Sequence, residues 1–308
     1  MNFEHISVLL DEVLEYCPEN AESMIDCTLG GAGHSKALLQ QVPGLYLHGV
    51  DRDEQALAAA DKTLADFSGR YTLHHYSFAE GVRRLREQGV KVDYILADLG
   101  VSSHQIDQED RGFSFRSDAP LDMRMNQQDD FSAADLVNET DEWELTRIIR
   151  VYGEETFAKR IARQIVKQRQ EKPIETTWQL ADCIRAAIPK KFQFGRLHPA
   201  TKTFQALRIA VNHELEELDQ LLENAIELLN FGGRLAIISF HSLEDRPVKK
   251  QFKKWADPCE CSKNIPHCIC GLKPKVKLLH SKIIKATPEE IERNPRSRSA
   301  KLRVIEKI

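Results

Sequence analysis

The chain has 308 residues, 42% hydrophobic and 29% charged, with seven cysteines and a net charge of −4. That length suits a large core with one added domain, and no apolar run approaches the roughly 20 residues that a membrane span requires. With an opening, MNFEHISVLLDEV, that is acidic where a signal peptide is basic, and with Cys17, Cys27 and Cys183 in apolar patterns that suit reduced thiols, the expectation is a cytoplasmic protein without a membrane or disulfide framework.

Three early stretches end a β-prone run at an acid: MIDCTLGGAGHS (Met24–Ser35), LHGVDRD (Leu47–Asp53) and YILADLGVSS (Tyr94–Ser103). Strands are expected at Ser23–Cys27, Leu45–Val50, Tyr71–His75 and Val92–Ala97, alternating with helices at Ser35–Gln41, Glu54–Phe67 and Ala79–Gln88. Such alternation indicates βαβ units and a parallel sheet, whose carboxyl ends are where open α/β sheets hold ligands.

From about Gln108 to His198 no convincing strand appears. Ser132, Thr140 and Thr177 are expected to cap helices over Ala133–Val137, Glu142–Arg150 and Trp178–Ile188, and Glu155–Arg169 keeps Phe157, Ile161, Ile165 and Val166 on one face. The division read from this is a discontinuous core, 1–107 with 199–308, and a helical insertion over 108–198. A long helical pattern, Ala200–Leu229, stops at Asn230-Phe231-Gly232-Gly233, and an apolar strand, Arg234–Phe240, resumes the sheet. Lys282–Ala286 and Ala300–Glu306 are expected to finish it as an antiparallel pair.

Charge is unevenly spread. Leu145–Lys202 carries +8 and Arg246–Ile308 carries +11, leaving −23 on the remainder. Two basic blocks on an acidic body suit a polyanionic partner, although lysine-rich helices also serve as plain soluble faces.

Gly30, Gly31 and Gly33 permit a tight turn that lets backbone N–H groups approach a ligand ahead of a helix N-terminus. The pattern is not clean for either adenosine cofactor class. Lys36 stands where a dinucleotide fingerprint wants its third glycine, and Thr28 and Ala32 break the acid-x-G-x-G-x-G form associated with S-adenosylmethionine. Asp51 ends the second strand, where an acid accepts ribose hydroxyls in both classes, and Asp98 ends the fourth, where the reacting group would lie. A nicotinamide dehydrogenase explains Asp51 but not the basic blocks, and a non-catalytic RNA-binding assembly factor explains the blocks but not the three acids. Cys259-x-Cys261 and Cys268-x-Cys270 could bind structural zinc, although CxC differs from the usual CxxC spacing. No metal is assigned to the cofactor site.

Longer strings are more specific. LADLGVSSHQID (Leu96–Asp107), RGFSFRSDAPLDMRM (Arg111–Met125), YGEETFAKRIARQI (Tyr152–Ile165), HPATKTFQALRIAVNHELEEL (His198–Leu218), SFHSLEDRPVK (Ser239–Lys249) and NPRSRSAKLRV (Asn294–Val304) together resemble the bacterial ribosomal RNA small subunit methyltransferase H (MraW) family over nearly the whole chain. The resemblance implies an α/β fold, with a class I (Rossmann-like) S-adenosylmethionine-dependent methyltransferase sheet and an inserted helical domain that recognises rRNA. It implies N4-methylation of a cytosine in the decoding centre of 16S rRNA, within the small ribosomal subunit, with S-adenosyl-L-methionine as cofactor. A homo-oligomer is left open.

The family's cofactor contacts fall on Ala32, Gly33, His34, Asp51, Phe78, Asp98 and Gln105. Position 32 is alanine here, where relatives such as the enteric enzymes carry glycine. Cytosine N4 is a poor nucleophile because its lone pair is delocalised, so its orientation and its proton must be managed. Asp98-Leu99-Gly100-Val101 keeps the acid of the usual amino-methyltransferase turn but lacks its prolines and aromatic. Asp98 or nearby carbonyls are expected to accept the amine hydrogens, with Ser239-Phe240-His241-Ser242, and His241 in particular, supplying stacking or a proton route. Base extrusion calls for aromatic and phosphate contacts, for which Phe113, Phe115, Phe192, Phe194 and Phe240 with Arg111, Arg116, Lys190, Lys191 and Arg196 are candidates.

Overall fold

A computed structural model describes residues 7–194, 198–262, 269–280 and 282–308, with only the backbone at 103 and 104. Two of the expected residues, Arg196 and Cys268, lie outside the described residues. The chain forms two compact units, Met1–Gly100 with Leu215–Ile308, and Val101–Glu214.

In the first part of the chain α1 (Leu10–Tyr16), β1 (Ser23–Asp26), α2 (Gly33–Gln41), β2 (Tyr46–Asp51), α3 (Glu54–Thr63), β3 (Tyr71–His75), α4 (Phe78–Glu87) and β4 (Val92–Asp98) follow in order. The second unit holds α5 (Ser103–Asp107), α6 (Ala133–Glu139), α7 (Glu142–Gly153), α8 (Ala158–Glu171), α9 (Thr177–Ala187) and α10 (Thr201–Val211). The first unit then resumes with α11 (Glu214–Leu228), β5 (Leu229–Ser239), α12 (Ser242–Ala256), β6 (Val276–Leu278), α13 (Pro288–Arg293) and β7 (Lys301–Lys307).

The first unit is the α/β, Rossmann-like sheet expected from the sequence. Its seven strands lie in the order β3-β2-β1-β4-β5-β7-β6. The first five run parallel, while β7 pairs antiparallel with β5 and β6 antiparallel with β7. Parallel strands are buried on both faces, which is why their sequences read as apolar runs and not as alternations. Ile25, Val50, Ile95 and Ile237 bury one face with Val82, Leu85 and Leu221. Met24, Leu47, Tyr94 and Leu96 bury the other with Val13, Leu38 and Leu39. At Gly81 any Cβ would lie 2.6 Å from Val50 Cγ1, so glycine is what lets α4 sit directly on β2.

The expected antiparallel finish is only half placed. β7 forms as anticipated, but its outer partner is Val276–Leu278, and within Lys282–Ala286 a single bridge joins Ile284 to Leu302. The apolar strand also starts earlier than Arg234, since Leu229 pairs with Val92 before a register shift at the glycines.

Among its described residues the second unit has helices as its regular elements, with one bridge between Pro120 and Thr176, around its own apolar cluster, which includes Leu145, Ile161, Ile165, Leu180, Phe204 and Leu207. Ser132 caps α6 with a full capping box. The caps of α7 and α9 fall one residue from the expected sites. Asp141 takes the α7 cap in place of Thr140, and Thr176 takes the α9 cap in place of Thr177, with its own capping box to Gln179. Neighbouring Thr-Asp and Thr-Thr pairs offer two good acceptors each, and tertiary context chooses between them. The pattern over Ala200–Leu229 is two helices, broken where Asn212 ends α10 and His213 turns left-handed at φ 51°.

Candidate functional site

The strand order reverses between β1 and β4, because successive strands run outward from β1 on one side and from β4 on the other. Such a switch point opens a crevice at the carboxyl ends of the strands, the general ligand position of open α/β sheets. Asp26, Asp51 and Asp98 are the last residues of β1, β2 and β4. The loop from β1 to α2 stands at the same end. It is tied to β4 by Cys27 N–H donating to the Leu96 carbonyl at 2.8 Å, and by Asp98 N–H donating to Thr28 Oγ1 at 2.6 Å.

The three carboxyls do different work. Asp26 is buried and satisfied internally: Ser35 Oγ–H donates to one oxygen at 2.6 Å and Thr28 N–H to the other at 3.2 Å. Burial pushes its pKa up to about 6, against the lowering pull of those two donors. It is a structural acid that fixes the turn.

Asp51 receives Gly30 N–H and Asp53 N–H, one on each oxygen and both at 2.8 Å. Desolvation raises its pKa and the two backbone donors oppose that. A carboxylate oxygen has two lone-pair sites, so each oxygen retains capacity for one further donor.

Asp98 differs from both. Its Oδ1 is buried and has no hydrogen-bond partner. Its Oδ2 stands 3.9 Å from His34 Nδ1, beyond hydrogen-bond reach. Burial first, then the negative charges of Asp26 and Glu244, hold its pKa well above the carboxylate range. A desolvated acceptor left without a donor costs about 1–3 kcal/mol, which a ligand N–H would recover.

His34 is itself buried, with Nε2 2.8 Å from the Val8 carbonyl. Because a carbonyl only accepts, Nε2 carries the proton. Ala32, the residue before α2, sits at φ 62° and ψ 28°, a left-handed conformation that costs alanine about 1–2 kcal/mol and glycine little. That backbone requirement favours glycine at this position. The methyl group of Ala32 is fully buried, which recovers about 0.8 kcal/mol of the strain. At Gly33 a Cβ would stand 2.3 Å from Ser7 Oγ, so this position favours glycine for space.

Phe78 opens α4 half-buried against the sheet. The adjacent Ala79 N–H donates to Glu217 Oε2 at 3.1 Å, and the other oxygen of Glu217 lies 3.4 Å from Arg52 Nη2. Gln105 belongs to the second unit, where it is buried and reciprocally bonded to Ser102: Ser102 N–H donates to its Oε1 at 3.1 Å and its own N–H donates to Ser102 Oγ at 3.2 Å. His241 precedes α12, with Nε2 3.0 Å from Glu244 Oε1, while Glu244 Oε2 accepts the N–H groups of Phe240 at 2.8 Å and His241 at 3.3 Å.

Sequence reasoning missed Thr28 and Ser35, the two hydroxyl residues that hold Asp98's backbone and Asp26's carboxyl. The signal available was the acid-x-hydroxyl run Asp26-Cys27-Thr28, a common turn pattern. The proposed nucleic-acid contacts divide. Arg111 is buried and donates to the Arg124 and Met125 carbonyls at 2.9 Å, so it is a structural residue of the second unit and not a phosphate ligand. Phe113 and Phe115 pack on that unit's cluster, with Phe115 stacked on His198 at 4.5 Å. Phe240 is half-buried against the sheet. Phe192 and Phe194 are 54% and 89% exposed beside exposed Lys190 and Lys191, and Arg116 is exposed as well. In the first unit, Lys249, Lys253, Lys282 and Arg303 line a pocket with Phe252. Three of the four C-terminal thiols, Cys259, Cys261 and Cys270, come together. Among the described residues no helix is long and apolar enough to cross a membrane.

Comparison with known proteins gives a consistent picture. A family model described as the MraW methylase family matches residues 2–308. A relative from Citrifermentans bemidjiense, named ribosomal RNA small subunit methyltransferase H, is 55% identical, covering 100% of this chain and 99% of its own length. A relative of the same name from Clostridioides difficile is 50% identical, with 100% of both chains covered. Among solved structures, an rRNA methylase from Streptococcus thermophilus aligns over 97% of this chain and 93% of its own, at 11% identity and a TM-score of 0.42, a likeness too slight to bear on function.

Proposed function

The chain belongs to the MraW methylase family, and we propose that it transfers the methyl group of S-adenosyl-L-methionine to the exocyclic N4 of one cytosine in the decoding centre of 16S rRNA, with the small ribosomal subunit as substrate. The observation that carries this reading is the unpartnered, buried Oδ1 of Asp98 at the switch point. Relatives that share half or more of its residues over full length carry the name of a small subunit rRNA methyltransferase, which supports the substrate class.

The residues present fit the cofactor. Asp51 keeps acceptor capacity for the ribose, Phe78 offers a ring for the adenine, and the turn Ala32-Gly33-His34 starts a helix whose N-terminal N–H groups face the ligand end. Bound there, S-adenosyl-L-methionine supplies an electrophilic methyl group on a positively charged sulfur.

The protein's own part is orientation and proton handling. Asp98 accepts an N4 hydrogen, which turns the amine lone pair toward the methyl carbon and satisfies the orphaned oxygen. A base works best when its pKa is near the working pH. Burial and the neighbouring acids Asp26 and Glu244 lift Asp98 in that direction. Thr28 Oγ1, which accepts the Asp98 N–H, holds the backbone of that acid in place, and His34, fixed by Val8, stands beside it. No covalent intermediate is called for, because nitrogen attacks directly.

The test is transfer in vitro to small subunits and to naked 16S rRNA from a strain lacking the enzyme, with the product read by nucleoside mass spectrometry. The expected result is one N4-methylated cytidine, formed on the subunit. Methylation at ring carbon, at another base, or on an unrelated RNA would overturn the assignment.

A further inference from the structure

Three thiols lie in a segment that the methyl-transfer reading does not use. Cys259, Cys261 and Cys270 fall between α12 and β6, and their sulfur atoms all lie within 4.8 Å of one another. Cys259 and Cys270 are 11 positions apart in sequence, yet their sulfurs are 3.9 Å apart. A disulfide would hold them at about 2.05 Å. A tetrahedral ion that binds thiolates at about 2.3 Å sets its ligand sulfurs roughly 3.8 Å apart, close to the spacing seen.

The segment has little else to order it. Residues 257–262 and 269–275 contain no helix or strand, and Ile269 and Leu272 are 77% and 50% exposed. Its two ends are closed by Lys275 N–H donating to the Trp255 carbonyl at 2.9 Å. Its described residues bury no core of their own, and small pieces without a core are ordinarily held by a cross-link or a metal. The other described cysteines, Cys17, Cys27 and Cys183, are buried singly, so this grouping of exposed and half-exposed thiols is a separate feature.

We propose that Cys259, Cys261 and Cys270 hold one structural zinc ion that closes the loop between α12 and β6. Soft thiolate donors select zinc over magnesium or calcium. Binding displaces the three S–H protons to solvent, and the fourth position of the tetrahedron goes to water or a further donor. The resulting site, three negative thiolates on a doubly positive ion, carries a charge of about −1, which the surrounding lysine-rich sequence (Lys253, Lys254, Lys273, Lys275) favours.

The test uses the whole protein purified in reducing buffer without chelator. Elemental mass spectrometry should find about one zinc per chain. Cys259→Ser and Cys270→Ser should each lower it to under about a tenth, whereas Cys183→Ser should leave it unchanged. Titrating the wild type with an organomercurial, with a chromogenic chelator present, should release zinc in step with the thiols, a readout that does not depend on any variant folding. Wild-type protein from zinc-replete cells holding under about a tenth of an equivalent would overturn the proposal. So would iron with visible absorption, or a disulfide between any two of the three cysteines.

Discussion

Asp26 and Asp98 end neighbouring strands, and burial raises both, but only Asp26 has its oxygens occupied by donors. For Asp26 the sign of the pH effect is definite. Its folded pKa is about 6 against an ordinary value of 3.8, so its contribution is fully present below the unfolded value and is lost as pH rises through the folded one. Between about pH 4 and 6 this removes about 3 kcal/mol of stability. Asp26→Asn keeps both hydrogen bonds, with its oxygen accepting from Thr28 and its amide donating to Ser35. Urea midpoints measured across pH should therefore show the variant gaining on the wild type through that window; parallel profiles would mean that burial does not lift this acid.

Asp98 makes the complementary prediction for rate. Asp98→Ala should abolish transfer, and Asp98→Asn should lower kcat by about 10²–10⁴-fold with little change in cofactor affinity. Because its pKa is raised, the acid limb of the wild-type pH–rate profile should lie above the ordinary carboxylate range. An acid limb near pH 4 would remove Asp98 as the base. Asp51→Ala should do the reverse, weakening cofactor binding in calorimetry by more than it slows the bound complex. These roles were half legible in the sequence. An acid at the end of a β-prone run marks a strand terminus, but nothing local distinguishes an acid satisfied by Ser35 and Thr28 from one left with a bare oxygen.

At the scale of elements, legibility followed how local the cause is. The parallel strands and their helices were readable because buried apolar runs and caps are local signals. The break between α10 and α11 was not, because apolar periodicity continues through it. Its cause is distant in sequence: Asn212 Nδ2–H donates to the Met123 carbonyl at 2.8 Å, and Met125 N–H donates to Asn212 Oδ1 at 2.7 Å, 87 positions away. β6 was hidden in the same way, since its pairing with β7 gives Val276 a buried site inside a lysine-rich run that reads as loop. Asn212→Ala would strand two buried backbone groups, each at about 1–3 kcal/mol. The expected outcome is a second unit destabilised by about 2–4 kcal/mol, seen as amide exchange accelerating in α6–α10 before the sheet of the first unit. Uniform acceleration over the whole chain would argue that Asn212 is not a latch of that unit.

For the whole molecule, the charge distribution gives the last prediction. Net charge is −4, yet each unit has its own exposed cationic group: Lys190 and Lys191 beside Phe192 and Phe194 in one, Lys249 and Lys253 with Lys282 in the other. The Lys191 ammonium stands 4.9 Å from the Phe192 ring centre, an arrangement that serves a phosphate and a base together. If both groups meet phosphates, log affinity for 16S rRNA falls linearly with log salt, by about 0.7–0.9 per phosphate neutralised. Changing Lys190 and Lys191 to glutamine should reduce that slope by about 1.5, and changing Lys249 and Lys253 should reduce it by a similar amount, because each pair neutralises its own phosphates. Asp98→Asn should leave the slope unchanged while slowing transfer, which separates holding the RNA from acting on it. A slope near zero in the wild type would mean that the two basic groups are solvated faces, and the RNA would then have to be held by shape and stacking alone.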